Sequence, residues 1–226
     1  MYRNELKYII DENTAGIIRG RIKHVCPFDK NSDEQGFYQV TSLYFDDYNN
    51  SALGDNVIGR LRRKKYRIRI YNGDDHNIRL EKKVKHNQVG FKETCQLTRE
   101  QYNMIMQKKY SQLKSTSKAL LIQEFCLDAL QRKLQPKVIV DYDRQTFVYQ
   151  YGDVRVTLDY DIRHSTHGED LFNPNMLYLA ALNPNQVVLE IKYTGFLPEH
   201  IKQLVQQNVT KRQSISKYTL CRSRQY

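Results

Sequence analysis

Tryptophan is absent from this 226-residue chain, and cysteine and proline are sparse, at 4 and 5 residues. The cysteines, Cys26, Cys95, Cys126 and Cys221, are scattered, and no two have the spacing of a metal-ligand pair or of a disulfide framework. They read as reduced thiols of a cytoplasmic protein. No apolar run follows a positively charged N-terminal stretch, so no signal peptide is expected. None approaches the roughly 20 apolar residues that a membrane-spanning helix requires. Internal repeats, low-complexity segments and long linkers are also lacking. The expectation is a single domain over residues 1–226, long enough to bury a substantial core. The six histidines show no ligand spacing and read as surface residues.

Acidic residues are the other deficit. Against 36 Lys and Arg there are 25 Asp and Glu, a formal net charge of +11. Such an excess points to an anionic partner: nucleic acid, a phosphate-rich small molecule or an acidic membrane surface.

What is abundant is two-faced strand pattern. Tyr66–Tyr71 and Ile78–Lys85 alternate around a turn at Asn72-Gly73-Asp74-Asp75 and predict a hairpin. Its first strand sets Arg67, Arg69 and Tyr71 against Ile68 and Ile70. Its second sets Arg79, Glu81, Lys83 and Lys85 against Ile78, Leu80 and Val84. Further strands are expected at Glu5–Ile10, Tyr38–Asp46, Phe91–Leu97, Val138–Tyr149, Val154–Tyr160 and Val187–Tyr193. Helices are expected after Asp11 or Asn13, through about Lys23, with a short polar cap; from Thr98, with Gln101 completing a capping box; from about Ser117 to Lys133, with Leu120, Leu121, Phe125 and Leu130 inward; from Pro198 to about Gln207; and from Ser214 to Arg222. Asp47–Ile58 reads as a loop or single helical turn, the basic run Arg60–Lys65 as the lead into the hairpin, and Gly168–Asn185 gives no regular signal.

The same alternation recurs in other strands: Glu5 and Lys7, Lys92, Arg155 and Asp159, Glu190 and Lys192 all sit opposite apolar residues. Such strands form either an open sheet with one charged face in water or a closed barrel with charge inside and amphipathic helices outside. The polar faces favour the barrel, since they hold Arg and Lys with a few carboxylates and little neutral filler. Clustered cations need an anionic ligand to offset them. Guanidinium forks match phosphate oxygens, lysine adds point charge, and carboxylates can hold a divalent ion that bridges phosphates.

In order and spacing, Lys7-Tyr8, Ser42-Leu43-Tyr44-Phe45-Asp46, Arg67-Ile68-Arg69, Glu81-Lys82-Lys83, Lys92, Asp143-Arg144, Val154 to Asp159, Leu189-Glu190-Ile191-Lys192 and Ser216-Lys217-Tyr218 together resemble the polyphosphate polymerase (VTC) domain. That domain is part of the CYTH-like, or triphosphate tunnel metalloenzyme, superfamily. The resemblance implies an α+β fold: a closed antiparallel β-barrel tunnel of about eight strands with helices packed outside. It implies transfer of the ATP γ-phosphoryl group to a growing inorganic polyphosphate chain, with Mn2+ or Mg2+ as cofactor. Lys7, Arg67, Arg69, Lys83, Lys92, Arg144, Arg155, Lys192, Ser216 and Lys217 would then bind substrate. Arg67, Arg69, Lys83 and Glu190 would act on the transferred group. Glu190 would be the main metal ligand, with Glu81 and Asp159 as further carboxylates. No protein nucleophile is needed, because the acceptor is itself a phosphate.

Two departures from the superfamily pattern stand out. Its tunnel hydrolases and cyclases open with Glu-x-Glu-x-Lys, whereas Arg3-Asn4-Glu5-Leu6-Lys7 has Arg3 at the first position, which weakens a hydrolase reading. The SPX domain and membrane segment of the eukaryotic polymerases are lacking, which leaves room for a separate membrane protein as partner. The alternatives are a tunnel triphosphatase hydrolysing ATP or tripolyphosphate, and a non-catalytic polyphosphate or nucleotide sensor. A nucleic-acid module ranks last, because its groove would hold fewer carboxylates and more aromatic platforms.

Overall fold

The computed structural model describes residues 3–86, 89–165, 170–206, 209 and 212–223. The chain is α+β, with a nine-stranded antiparallel sheet and seven helices among the described residues. The elements run β1 (Arg3–Asp11), α1 (Glu12–Ile22), β2 (Phe37–Asp46), α2 (Ser51–Val57), β3 (Arg62–Tyr71), β4 (Ile78–His86), β5 (Val89–Leu97), α3 (Arg99–Met106), α4 (Tyr110–Thr116), α5 (Leu120–Arg132), β6 (Gln135–Tyr149), β7 (Val154–Ser165), β8 (Leu179–Ala180), β9 (Gln186–Thr194), α6 (Glu199–Gln206) and α7 (Lys217–Ser223).

Residues group into two compact units, one comprising 1–39, 142–163 and 180–216, the other 40–141, 164–179 and 217–226. In the first, β1 pairs with β9 and β9 with β7, both antiparallel. Alternation sends Tyr8, Ile10, Val154, Val156, Leu158, Val187, Leu189 and Ile191 to one face, where they pack with Ala15, Ile18 and Ile22 of α1 and Ile201 and Val205 of α6. Asp11 starts α1 by accepting the Thr14 amide at 2.8 Å.

In the second unit, β2, β3, β4 and β5 follow one another in antiparallel register. Leu43, Phe45, Tyr66, Ile68, Ile70, Ile78, Leu80 and Leu97 form its apolar face, covered by Tyr102, Ile105, Leu113, Leu121, Ile122 and Phe125 from α3, α4 and α5. The Phe125 ring makes edge contacts with Phe45 and Tyr66 at centroid distances of 5.1 and 5.2 Å. Thr98 and Gln101 close the expected capping box, with Thr98 Oγ1 accepting the Gln101 amide at 3.1 Å and Gln101 Oε1 accepting the Thr98 amide at 3.0 Å.

The expected closed barrel is corrected. Strand order begins at β1 and ends at β5, and no ladder joins these two among the described residues. β5 is an open edge, with Phe91, Lys92, Glu93, Thr94 and Gln96 exposed. Its Lys and Glu side chains protect it from pairing with another chain, as charged edges do. The sheet also has nine strands rather than about eight, because the two-residue β8 adds to β7.

Several local expectations change too. Asp47–Ile58 contains a true helix, α2, whose first amides are accepted by the Asp46 carboxylate: Ala52 N at 2.9 Å and Leu53 N at 3.0 Å. Most of the basic run belongs to β3 itself. The span Ser117–Lys133 is helical only from Leu120 onward, and α4 precedes it. Leu120 and Leu130 face solvent, because the stripe over the sheet runs through Leu121, Ile122, Phe125 and Ala129 instead. The four cysteines are free thiols.

His164 departs from the surface reading of the histidines. β7 extends five residues beyond Tyr160, to Ser165, and this places His164 at 1% exposure with neither ring nitrogen hydrogen-bonded. His167 lies outside the described residues. Burial lowers the His164 pKa, so the folded protein resists a proton that the unfolded chain accepts near its ordinary value of about 6.5. Stability is therefore complete above that value and declines as pH falls below it. Denaturant midpoints should drop between neutral and mildly acidic pH, and His164→Leu should reduce that drop. An unchanged pH dependence in the variant would contradict the assignment.

Candidate phosphate-binding faces

Each unit has a polar sheet face opposite its apolar one. In the second unit, register builds this face in cross-strand rows. Ser42, Arg69, Arg79 and Gln96 form one row, Tyr44, Arg67, Glu81 and Thr94 the next, and Lys65, Lys83 and Lys92 the third. Three rows thus hold Arg67, Arg69, Arg79, Lys65, Lys83 and Lys92 with Glu81 as their one carboxylate.

Glu81 is 1% exposed and central. Its Oε2 accepts Arg67 Nε at 2.6 Å and lies 2.5 Å from Arg67 Nη2, and its Oε1 accepts Lys92 Nζ at 2.8 Å. Burial alone would push its pKa up, but Arg67, Arg69 and Lys92 outweigh burial and hold it well below the usual carboxylate range. Arg67 Nη1 also donates to Tyr44 Oη at 2.9 Å, and Arg69 Nε donates to Ser42 Oγ at 3.0 Å. The buried Tyr44 phenol is shifted downward: burial opposes this, and the cations of Arg67, Arg69 and Lys217 prevail.

Lys217 owes its place to a second anchor. Tyr218 Oη donates to Asp46 Oδ2 at 2.6 Å, and the Tyr44 and Tyr218 rings stand 5.1 Å apart. Asp46 thereby ties the start of α2 to α7 and seats Lys217 beside Tyr44. Lys83 is exposed on the same face as Glu81, whereas Lys82 turns to the helical side, where Glu93 and Glu124 meet its ammonium at 2.8 and 2.5 Å.

The first unit repeats the plan with more carboxylates. Lys7, Glu190 and Thr157 form one row, and Glu5, Lys192 and Arg155 the next. Glu190, 4% exposed, lies 3.3 Å from Lys7 Nζ, 3.1 Å from Lys192 Nζ and 3.7 Å from Arg144 Nη2. Glu5 meets the same two lysines, at 3.3 and 3.8 Å. Asp159 is fully buried and takes Arg144 through both oxygens, at 2.6 and 2.9 Å. Arg155 pairs with Asp29, a contact outside these rows. Lys7 Nζ also donates to the Ile215 carbonyl at 3.2 Å, which brings the segment before Ser216 onto this face.

The two lysines respond oppositely. Burial pulls both down. At Lys7, Glu190 and Glu5 overcome it and raise the pKa well above the ordinary lysine value. At Lys192, burial joined by repulsion from Arg144 and Lys7 wins over Glu190 and Glu5, and the pKa falls to about 8.

The sequence-derived site residues thus divide. Arg67, Arg69, Glu81, Lys83, Lys92 and Lys217 belong to the second unit, and Lys7, Arg144, Arg155, Asp159, Glu190, Lys192 and Ser216 to the first. Of the carboxylates expected to bind metal, Glu81 and Asp159 are engaged by arginine. Among the described residues, no three metal-ligating groups cluster at Glu190; the one such cluster is the exposed turn Asp74, Asp75 and His76. Glu190 and Glu5, which share two lysines, are the remaining donor pair. A divalent ion that takes one or two carboxylates would find its donors in this pair. Lys65, Arg79 and Tyr44 join these faces without having been singled out as site residues. Period-two counting back from Arg67 reaches Lys65, and the Asp46 motif already contains Tyr44.

A profile of the VTC domain matches residues 2–225. Comparison with curated protein sequences finds no match. Among solved structures, a protein of Pyrococcus horikoshii OT3 is similar at 13% identity and a TM-score of 0.53, over 98% of this chain and 97% of that one. A candidate adenylate cyclase of Bacillus halodurans is similar at 14% identity and a TM-score of 0.52, over 92% and 89%. At these identities the likeness is one of fold. With the profile spanning nearly its whole length, the chain belongs to the VTC domain family.

Proposed function

We infer that this protein is a polyphosphate polymerase that moves the γ-phosphoryl group of ATP onto the end of an inorganic polyphosphate chain. The observation that carries this reading is the second unit's polar face, where Arg67, Arg69, Arg79, Lys65, Lys83 and Lys92 are gathered around the buried carboxylate of Glu81. Such a face is short of negative charge, and a triphosphate or polyphosphate supplies it in a geometry that guanidinium forks match. Membership of the VTC domain family supports the same substrate class.

In the transfer, a terminal oxygen of the polyphosphate attacks the γ-phosphorus as the bond to the β–γ bridging oxygen breaks, and ADP leaves. The chain supplies position and charge rather than a covalent intermediate. Arg67 is held in plane by Glu81 and Tyr44, and Arg69 by Ser42, so both present donors without reorganising. Lys83 and Lys92 add point charge along the same face. In the first unit Lys7 and Lys192 would meet phosphate oxygens, beside Arg144 on Asp159 and Arg155 on Asp29, and Glu190 with Glu5 would hold a divalent ion. Such an ion would supply charge neutralisation to the phosphates.

Incubation with ATP and Mn2+ should give long chains on a polyacrylamide gel together with ADP, and Glu190→Gln should remove chain formation while tripolyphosphate still binds. Orthophosphate without chains would contradict the polymerase reading. The depressed pKa of Lys192 supplies a second test. As a phosphate ligand it is mostly charged at neutral pH and loses charge as pH rises through about 8. Tripolyphosphate affinity should fall across that interval in the wild type, and Lys192→Arg should flatten the fall. Equal pH profiles would remove Lys192 from the phosphate-binding set.

A further inference from the structure

The end of α2 carries an exposed apolar group that the catalytic reading does not use. Val57, Ile58 and Leu61 are 69, 79 and 68% exposed, and every residue from Val57 to Arg62 faces solvent. Exposed apolar residues are ordinary when single, but three bulky ones on one tight turn form a patch.

The turn is a fixed one. Ile58 N donates to the Gly54 carbonyl at 2.9 Å and Arg60 N to the Asp55 carbonyl at 2.9 Å, with Gly59 at φ +74° between them. This is a Schellman end, which usually tucks an apolar residue after the glycine back onto the helix. Here that place is taken by Arg60, whose Nη1 meets Asp55 Oδ1 at 3.1 Å. An ion pair thus closes the motif, and Val57, Ile58 and Leu61 are left pointing outward.

Basic residues flank the patch. Arg60 precedes Leu61, and Arg62 and Arg63 follow it with no ion pair among the described residues. Across the ladder, Arg62 faces His86 and Arg63 faces Lys85. Apolar side chains on a rigid tip with cations behind them match the boundary of an anionic bilayer. There the tip enters the acyl edge and the guanidinium groups meet lipid phosphates. A second copy of this chain is a poorer occupant, since the cations of two such tips would repel.

We propose that the Val57–Arg62 turn is a docking site for anionic membrane surfaces. The proposal is independent of the polymerase reading. It is tested by cosedimentation with vesicles of equal parts phosphatidylcholine and phosphatidylserine, against vesicles of phosphatidylcholine alone. The wild type should pellet with the anionic vesicles only. The triple variant Val57→Ser, Ile58→Ser, Leu61→Ser and the double variant Arg60→Gln, Arg62→Gln should each lose at least about tenfold in partitioning. Circular dichroism spectra should be unchanged, because the substituted side chains are exposed. Failure of the wild type to bind would overturn the proposal, as would full retention by the triple-serine variant, which would assign binding to the basic sheet faces alone. A wild-type dimer that the triple-serine variant converts to monomer, seen by light scattering, would overturn it in favour of self-association.

Discussion

Glu81 is the point on which the second unit's polar face depends. A buried carboxylate is tolerated only when cations and hydrogen bonds replace its lost hydration. Arg67 and Lys92 do so here, and in return Glu81 fixes the direction of both. Breaking such a pair from one side leaves an uncompensated buried charge, which costs about 3–5 kcal/mol in comparable sites. The arginine therefore has a structural role whatever it binds, and Arg67→Ala would confound folding with binding. Arg69 is different: its Nε is seated on the neutral Ser42 hydroxyl. Its charge helps hold Glu81 ionised, but Glu81 keeps its direct contacts to Arg67 and Lys92 when Arg69 is replaced.

The first unit balances charge differently. Glu190, Glu5 and Asp159 stand among Lys7, Lys192 and Arg144, so that positive and negative groups nearly match. Arg144 is committed to Asp159 and Lys7 is strongly protonated, which leaves Lys192 as the member whose charge responds to mild changes in pH. In both units the apolar side of each strand is sealed by helices, so the alternation of the strands leaves the charged side chains only the opposite face.

That alternation is why so much was legible in the sequence. Arg67-Ile68-Arg69 and Leu189-Glu190-Ile191-Lys192 state face and chemistry together; β9 falls within a residue of where period two puts it, and β3 ends at Tyr71 as expected but begins four residues earlier, at Arg62. Helix starts with side-chain caps, at Asp11 and Thr98, were equally plain. What escaped depends on long-range contacts. α2 has no cap from its N-cap residue Asn50; the carboxylates of Asp47 and Asp46, further back in the chain, accept its first amides. Closure of the sheet is a matter of strand order, which periodicity does not encode. Leu120 and Leu130 follow a helical stripe that the sheet does not meet, and the burial of His164 follows from an extension of β7 that its mixed residues do not announce. Lys65 and Arg79 lay in view, two residues before Arg67 and two before Glu81, and cross-strand register then sets Lys65 beside Lys83 and Arg79 beside Arg69.

The central claim is that the excess cations of the β2–β5 face are held ready for phosphate. Titration calorimetry of tripolyphosphate into the wild type and Arg69→Gln, with thermal melts of both, tests it most directly. A lost charge-assisted hydrogen bond of about 1.5–3 kcal/mol predicts roughly ten- to a hundredfold weaker binding. The melting temperatures should stay close, since Glu81 keeps Arg67 and Lys92. Equal tripolyphosphate affinity in the two proteins would contradict the account.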